Sequence, residues 1–72
     1  MATAVVLLSR ADEVLRQSPI PALRGLWVEE TDHEVIISGS VSSYYLKQLA
    51  QESVMPILGS RELHNRVEVV RS

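Results

Sequence analysis

The feature that most constrains the fold is an alternation of apolar residues in the segment 34–41, which reads E-V-I-I-S-G-S-V. Val35, Ile37, Gly39 and Val41 occupy every second position, and this spacing places side chains on one face of a β-strand. Val and Ile also favour the pleated surface of a sheet. The segment therefore predicts a strand with one buried face.

A second strand-like run, residues 26–31, precedes this strand and is separated from it by the turn-prone pair Asp32-His33. A two-residue turn at this pair predicts an antiparallel hairpin. The usual hairpin glycine is absent, so a longer loop through Glu34, which shifts the register by one residue, is the alternative. The two-residue turn would place Glu30 opposite Val35, Val28 opposite Ile37, and Leu26 opposite Gly39.

Two amphipathic helices are predicted, one on each side of the hairpin. Apolar residues from Ala4 onward follow the i, i+3, i+4, i+7 series, and this first helix ends near Gln17 because Pro19 follows. Residues 19–25 are interpreted as a connector, and a connector that contains one short helical turn at 21–24 is the alternative. The second helix starts at Ser42 or Ser43, either of which can cap it, and ends near Pro56 and Gly59. Its predicted apolar side comprises Tyr45, Leu46, Leu49, Ala50, and Ser53 or Val54.

The last predicted strand is residues 62–70. Its side chains divide between two faces, with Leu63, Asn65, Val67 and Val69 on one and His64, Arg66, Glu68 and Val70 on the other. A helical crossover before it predicts a right-handed, parallel pairing with the strand 34–41. We therefore expect a single α+β domain spanning 1–72, with αββαβ order and two helices packed on one face of a three-stranded mixed sheet.

Composition argues against several classes of function. The chain has 46% hydrophobic and 22% charged residues, as a folded domain does, and a net charge of −2. Nucleic acid is an unfavourable partner, because its binding needs a basic surface and the chain also has no G-x-x-G loop. The chain has no cysteine, so a disulfide, a thiol nucleophile and a cysteine-based zinc site are excluded.

The residues indicate no catalytic, cofactor-binding or metal site, and no small-molecule substrate is evident. His33 lies beside Asp32 and Glu34, but three adjacent residues in a hairpin do not easily converge on one ion, so a solvated polar turn is favoured. His64, with Glu62 and Arg66, is interpreted as the exposed face of a strand. No serine lies in a G-x-S-x-G motif.

The N-terminal apolar run does not predict a signal peptide or a membrane span. Only five apolar residues, 4–8, occur together, no Lys or Arg precedes them, and Ser9-Arg10 follows. The expected compartment is the cytoplasm, or the periplasm if a leader was removed.

Two motifs resemble those of a known family, the bacterial BON (bacterial osmotically induced and nodulation) domain. The segment 35–41, V-I-I-S-G-S-V, resembles the family's V-x-L-x-G-x-V, and 59–69 is similar to its G-V-x-x-V-x-N-x-L-x-V. The resemblance covers about residues 6–70. It departs at Ser60, where the family usually has Val, and at His33, where the hairpin commonly has Gly; Pro56 also lies late in the second helix. The positions that match the second motif are Gly59, Leu63, Asn65, Val67 and Val69.

The resemblance implies a fold of two helices against a three-stranded mixed sheet. It also implies binding rather than catalysis, either attachment to phospholipid surfaces or assembly with cell-envelope or carrier components. An acidic chain gains little attraction to anionic lipid, where each nearby Lys or Arg contributes about 1 kcal/mol. We therefore expect a non-enzymatic module that binds a protein partner or self-associates, with phospholipid attachment as the alternative.

The expected contact surface is the sheet face that the helices leave open. It includes Trp27, Ile36, His64, Arg66 and Val70, and exposed apolar patches of this kind tend to mark contact sites. The alternative is that Trp27 packs edge-on against the stems of Glu29 or Arg66. Among the other aromatic residues, Tyr45 is expected on the core side of the second helix, and Tyr44 at the start of that helix.

Overall fold

The computed structural model describes residues 10–71, which form three helices and one three-stranded sheet. This α+β architecture confirms the predicted fold class. The short helix considered for the connector is present, and residues 4–9 of the predicted first helix lie outside the described residues. The elements are α1 (Arg10–Arg16), α2 (Pro21–Arg24), β1 (Trp27–Glu30), β2 (Glu34–Val41), α3 (Tyr44–Leu58) and β3 (Glu62–Val69).

The hairpin between β1 and β2 has the two-residue turn and the predicted register. Val28 pairs with Ile37 and Glu30 with Val35. The Thr31 N–H donates to the Glu34 carbonyl oxygen at 2.9 Å, and the Thr31 Oγ1 accepts from the backbone N–H of His33 and of Glu34, both at 3.1 Å. The threonine hydroxyl thus satisfies the turn's N–H groups, as side chains of this type do in ST-turns.

Strand β2 is the central strand of the sheet, with β1 antiparallel on one side and β3 parallel on the other. The connection from β2 to β3 is α3, as the predicted crossover requires. Ser43 is the N-cap of α3, because its Oγ accepts a hydrogen bond from the Leu46 N–H at 3.2 Å. The helix continues past Pro56 to Leu58, and Gly59 follows it with φ +67°.

The hydrophobic core lies between the helices and one face of the sheet. Even α2, a single turn, contributes the fully buried Leu23. Folding removes apolar surface from water, which stabilises the folded state by about 25 cal/mol per Å² and is the main force that holds the helices there. The buried apolar side chains of the described residues are Ala11, Leu15, Leu23, Leu26, Val35, Ile37, Val41, Ala50, Val54 and Val67.

The predicted placement of Tyr45 was wrong, since the residue is 71% exposed. The buried side of α3 is centred on Ala50 and Val54, with Leu46 and Leu49 packed against the core. Tyr45 precedes Ala50 by five residues, which places it about 140° away around the helix at 100° per residue. The Leu46-Ala50-Val54 series therefore determines the inward face of α3.

Candidate interaction surface on the open sheet face

The sheet face opposite the helices carries mainly polar side chains and is referred to below as the open face. Successive residues of a strand point to opposite faces of the sheet, so the residues that alternate with the core residues on each strand belong to the open face. Among residues 10–71, none of the buried apolar side chains belongs to this face. The open face comprises Trp27, Glu29, Glu34, Ile36, Ser38, Ser40, Glu62, His64, Arg66 and Glu68, with Val70 directly after β3.

Trp27 and Ile36 form the apolar part of the open face. Trp27 pairs with Ser38, so Ile36 is its diagonal neighbour on β2, within reach of an aromatic ring. The Trp27 residue is 71% exposed and Ile36 is half-buried. This exposure does not fit the alternative in which Trp27 packs closely against neighbouring stems, and it leaves a large apolar side chain in contact with water.

The register brings His64 and Arg66 near this apolar pair but separates Val70 from it. His64 pairs with Ile36, and Arg66 pairs with Ser38. The Val70 N–H donates to the Val41 carbonyl oxygen at 2.8 Å, beyond the end of β3. With strands about 4.8 Å apart and about 3.3 Å per residue, Val70 lies more than about 10 Å from Trp27.

The predicted contact surface is consequently divided into two parts. Trp27, Ile36, His64 and Arg66 are neighbours, whereas Val70, 55% exposed, is a separate apolar residue at the far end of the sheet. The polar Ser40 lies on β2 between the two parts.

The open face is strongly acidic. It carries four glutamates and one arginine, and none of these five is fully buried. The negative charge of this face is therefore larger than the net charge of −2 of the whole chain. Such a surface favours cationic groups on an approaching molecule and repels anionic ones. The charged members are Glu29, Glu34, Glu62, Glu68 and Arg66.

The structure also assembles a cluster that the sequence analysis did not predict. The His64 Nε2 lies 3.1 Å from Glu34 Oε1 and 3.2 Å from Glu62 Oε1. The parallel register causes this, because Glu34 pairs with Glu62 and Ile36 with His64. His64 therefore has a partner on the neighbouring strand as well as on its own strand, and this could be found only by knowing the β2–β3 register.

His33 lies in the exposed hairpin turn, as expected. Its carbonyl oxygen accepts the Glu62 N–H at 3.0 Å, which ties the turn to the start of β3. Its side chain is not a member of the Glu34-Glu62-His64 cluster.

On the helix side, a shallow groove runs between the start of α3 and β3. It is lined by Tyr44, Lys47, Gln48, Gln51 and Asn65. Asn65, a residue of the second motif, donates from Nδ2 to the Lys47 carbonyl oxygen at 2.9 Å, and its Oδ1 accepts the Val67 N–H at 3.2 Å. The asparagine thus joins the crossover helix to β3, which is a structural role.

We expect the Asn65→Ala variant to lower the free energy of unfolding by about 1–2 kcal/mol. It removes the hydrogen bonds to Lys47 and Val67, and a longer one of 3.4 Å to Gln51 Oε1, at a half-buried position. Urea denaturation followed by circular dichroism measures the change. Gln48→Ala, an exposed neighbour in the same groove, is the control and should alter stability by less than about 0.5 kcal/mol. Equal stability of the two variants would contradict the structural role of Asn65.

None of the helices in residues 10–71 has the length and apolar character needed to cross a bilayer.

Comparisons of the chain with protein families, with curated proteins and with solved structures found no match.

Proposed function

We propose that the chain is a non-catalytic interaction module that binds a protein partner through the open face. The observation that carries this proposal is Trp27, which is 71% exposed beside Ile36 on a sheet face that none of the described helices covers. Tryptophan is among the residues most enriched at binding hot spots. An exposed tryptophan on a rigid strand needs little ordering on binding, which favours affinity.

The acidity of the open face favours a partner with a basic surface. Glu29 is the cross-strand neighbour of Ile36, and Glu34, Glu62 and Glu68 extend the same charge over β2 and β3. Lysine or arginine side chains on the partner would meet these carboxylates around the apolar contact. This arrangement of an apolar centre and a polar rim is typical of protein interfaces.

Self-association through the same face is less favoured. A two-fold dimer places the same patch of both subunits together, so the glutamates of one open face would meet those of the other. Like charges at an interface cost free energy unless other groups compensate them. Arg66 is the only arginine or lysine among the paired residues of the open face, so it could compensate only part of this repulsion.

Attachment to phospholipid, which the BON resemblance implies, is the alternative function. Anionic headgroups would meet the acidic open face unfavourably, and each basic residue near a membrane surface contributes only about 1 kcal/mol. The resemblance itself supports a binding role rather than a catalytic one. The motif residues Gly39 and Asn65 contribute to the fold rather than to a ligand site, so they do not discriminate between the two partners.

We expect Trp27→Ala to weaken partner binding by at least about tenfold, as truncation of a hot-spot tryptophan does. Its free energy of unfolding should change by less than about 1 kcal/mol, because the side chain is mostly exposed. The immobilised domain is incubated with a lysate of the source organism, and retained proteins are quantified by mass spectrometry. Tyr45→Ala is the matched control, since Tyr45 is also 71% exposed but lies on α3.

Two further measurements separate the alternatives. Amide NMR spectra at increasing protein concentration report self-association, and spectra with phosphatidylglycerol vesicles report lipid binding. Changes at Trp27 and Ile36 with concentration would favour a homo-oligomer. The protein-binding proposal would be rejected if two results occurred together. The domain would bind vesicles equally well with and without Trp27→Ala, and wild type and Trp27→Ala would retain the same proteins from the lysate.

A further inference from the structure

The cluster of Glu34, Glu62 and His64 places three metal-ligating atoms close together on the open face. The His64 Nε2 is 3.1 Å from Glu34 Oε1 and 3.2 Å from Glu62 Oε1, and the ligand atoms of all three residues lie within 4.8 Å of one another. In a metal site with bonds of about 2.0–2.2 Å, neighbouring ligand atoms are about 3.0–3.5 Å apart. The two distances from His64 Nε2 match this spacing, and the two carboxylate oxygens lie within 4.8 Å of each other.

His64 Nε2 has more carboxylate contacts than one two-centre hydrogen bond accounts for. The Nε2 atom carries at most one hydrogen, yet carboxylate oxygens from two residues approach it at similar distances. The two glutamates are also like charges held side by side by the register of Glu34 with Glu62. A divalent cation between the three side chains would accept the imidazole lone pair and neutralise both carboxylates.

We propose that Glu34, Glu62 and His64 form a binding site for a divalent transition-metal ion, with zinc as the representative. One imidazole nitrogen and two carboxylate oxygens are a donor set that suits zinc, whereas an all-oxygen set would suit magnesium or calcium. Three protein ligands leave at least one coordination position for water or for a group from a bound partner.

The fold holds these ligands on regular secondary structure. Glu62 and His64 are two residues apart on β3, so both point to the open face, and Glu34 begins the adjacent central strand. The side chains of His64 and Glu34 are 34% and 40% exposed, and that of Glu62 is 77% exposed. The ion reaches the site directly from solvent, and His64 and Glu34 are the less exposed ligands.

The experiment titrates zinc chloride into metal-free protein and measures affinity by isothermal calorimetry, with amide NMR spectra to locate the binding. We expect one ion per chain, with the largest chemical-shift changes at Glu34, Glu62, His64 and at Ile36, which pairs with His64. Mutation of a residue that only hydrogen-bonds to a metal ligand typically lowers metal affinity by about 10–100-fold. His64→Ala and Glu34→Gln, which remove direct ligands, should each weaken zinc binding by at least about tenfold.

His33→Ala is the matched control, because His33 is the other histidine of the chain and lies next to Glu34 outside the cluster. It should leave zinc affinity within about twofold of wild type. Magnesium chloride at the same concentrations should cause no saturable change, since it prefers all-oxygen ligands. Zinc should also raise the melting temperature of the wild type but not of His64→Ala, because a ligand that binds only the folded state stabilises it.

Three results would each overturn the proposal. The first is the absence of saturable zinc binding to the wild type. The second is zinc affinity that His64→Ala and Glu34→Gln leave unchanged, and the third is an equal loss of affinity in His33→Ala. Circular dichroism of each variant confirms that it is folded, so that a loss of binding reports the ligands. Zinc binding is independent of the protein-binding proposal, because it needs neither Trp27 nor a partner.

Discussion

The Gly39→Ala variant is expected to lose about 2–5 kcal/mol of its free energy of unfolding. Gly39 has φ +123° in the middle of the central strand, a conformation that costs other residues about 1–3 kcal/mol. A β-carbon there would also lie 2.9 Å from Leu26 Cδ2, and Leu26 is a fully buried side chain. Overpacking of a core adds about 1–3 kcal/mol.

A domain of this length has a stability of about 4–11 kcal/mol, so the loss would be a large share of the total. Chemical denaturation followed by circular dichroism measures it. The other two glycines of the chain provide graded controls, because a β-carbon at either position would meet no atom within 4 Å. Gly59→Ala keeps only the backbone cost of φ +67°, about 1–3 kcal/mol.

Gly25 has φ −95°, which alanine adopts, so Gly25→Ala should be neutral or slightly stabilising. The expected order of stability is Gly25→Ala, then Gly59→Ala, then Gly39→Ala. If Gly39→Ala were as stable as Gly25→Ala, the close approach of Leu26 to β2 would be wrong.

Local patterns were sufficient to predict the architecture. The alternation in 34–41 gave the central strand with the bounds that the structure shows, and the order of elements gave the mixed sheet. The two-residue turn predicted the hairpin register that the structure shows, whereas the alternative loop through Glu34 would have shifted it by one residue. Tyr45 was misplaced because helical periodicity leaves the centre of the buried side uncertain by about one residue, or 100°.

The candidate sites could be predicted only in part from the sequence. Strand parity and the two-residue turn predicted Trp27 and Ile36 as neighbours on one face, and the register of β1 with β2 confirms this. The Glu34-Glu62-His64 cluster required the register between β2 and β3, which the crossover helix sets through its packing rather than through a short turn. For the same reason, the sequence could not show that Val70 lies apart from Trp27.

Arg61→Ala is expected to lower the free energy of unfolding by about 2–4 kcal/mol. The Arg61 Nη1 lies 2.5 Å from Glu30 Oε2, while its Nε and Nη2 donate to the carbonyl oxygens of Leu58 and Ile57 at 3.0 and 2.8 Å. One guanidinium therefore caps the C-terminus of α3 and joins it to the end of β1.

The burial of this ion pair explains the size of the expected effect. The side chains of Arg61 and Glu30 are 20% and 14% exposed, and the other carboxylate oxygen of Glu30 accepts the Ala11 N–H at 3.2 Å. Removing the arginine breaks a largely buried ion pair, which costs about 3–5 kcal/mol when burial is complete. The partial exposure of both side chains reduces that figure.

Arg61→Lys should recover less than half of the loss, because a single ammonium cannot reproduce the fork of donors to two carbonyls and a carboxylate. Arg66→Ala is the control for the loss of an arginine near β3. Arg66 is exposed on β3, so its removal should change the free energy of unfolding by no more than about 0.5 kcal/mol. Urea denaturation of these three variants gives the changes in stability, and a cycle of wild type, Arg61→Ala, Glu30→Gln and Arg61→Ala/Glu30→Gln measures the coupling between the two side chains. A coupling energy near zero would show that the arginine acts only as a helix cap, whereas a value above about 1 kcal/mol supports the ion pair as the link between α3 and the hairpin.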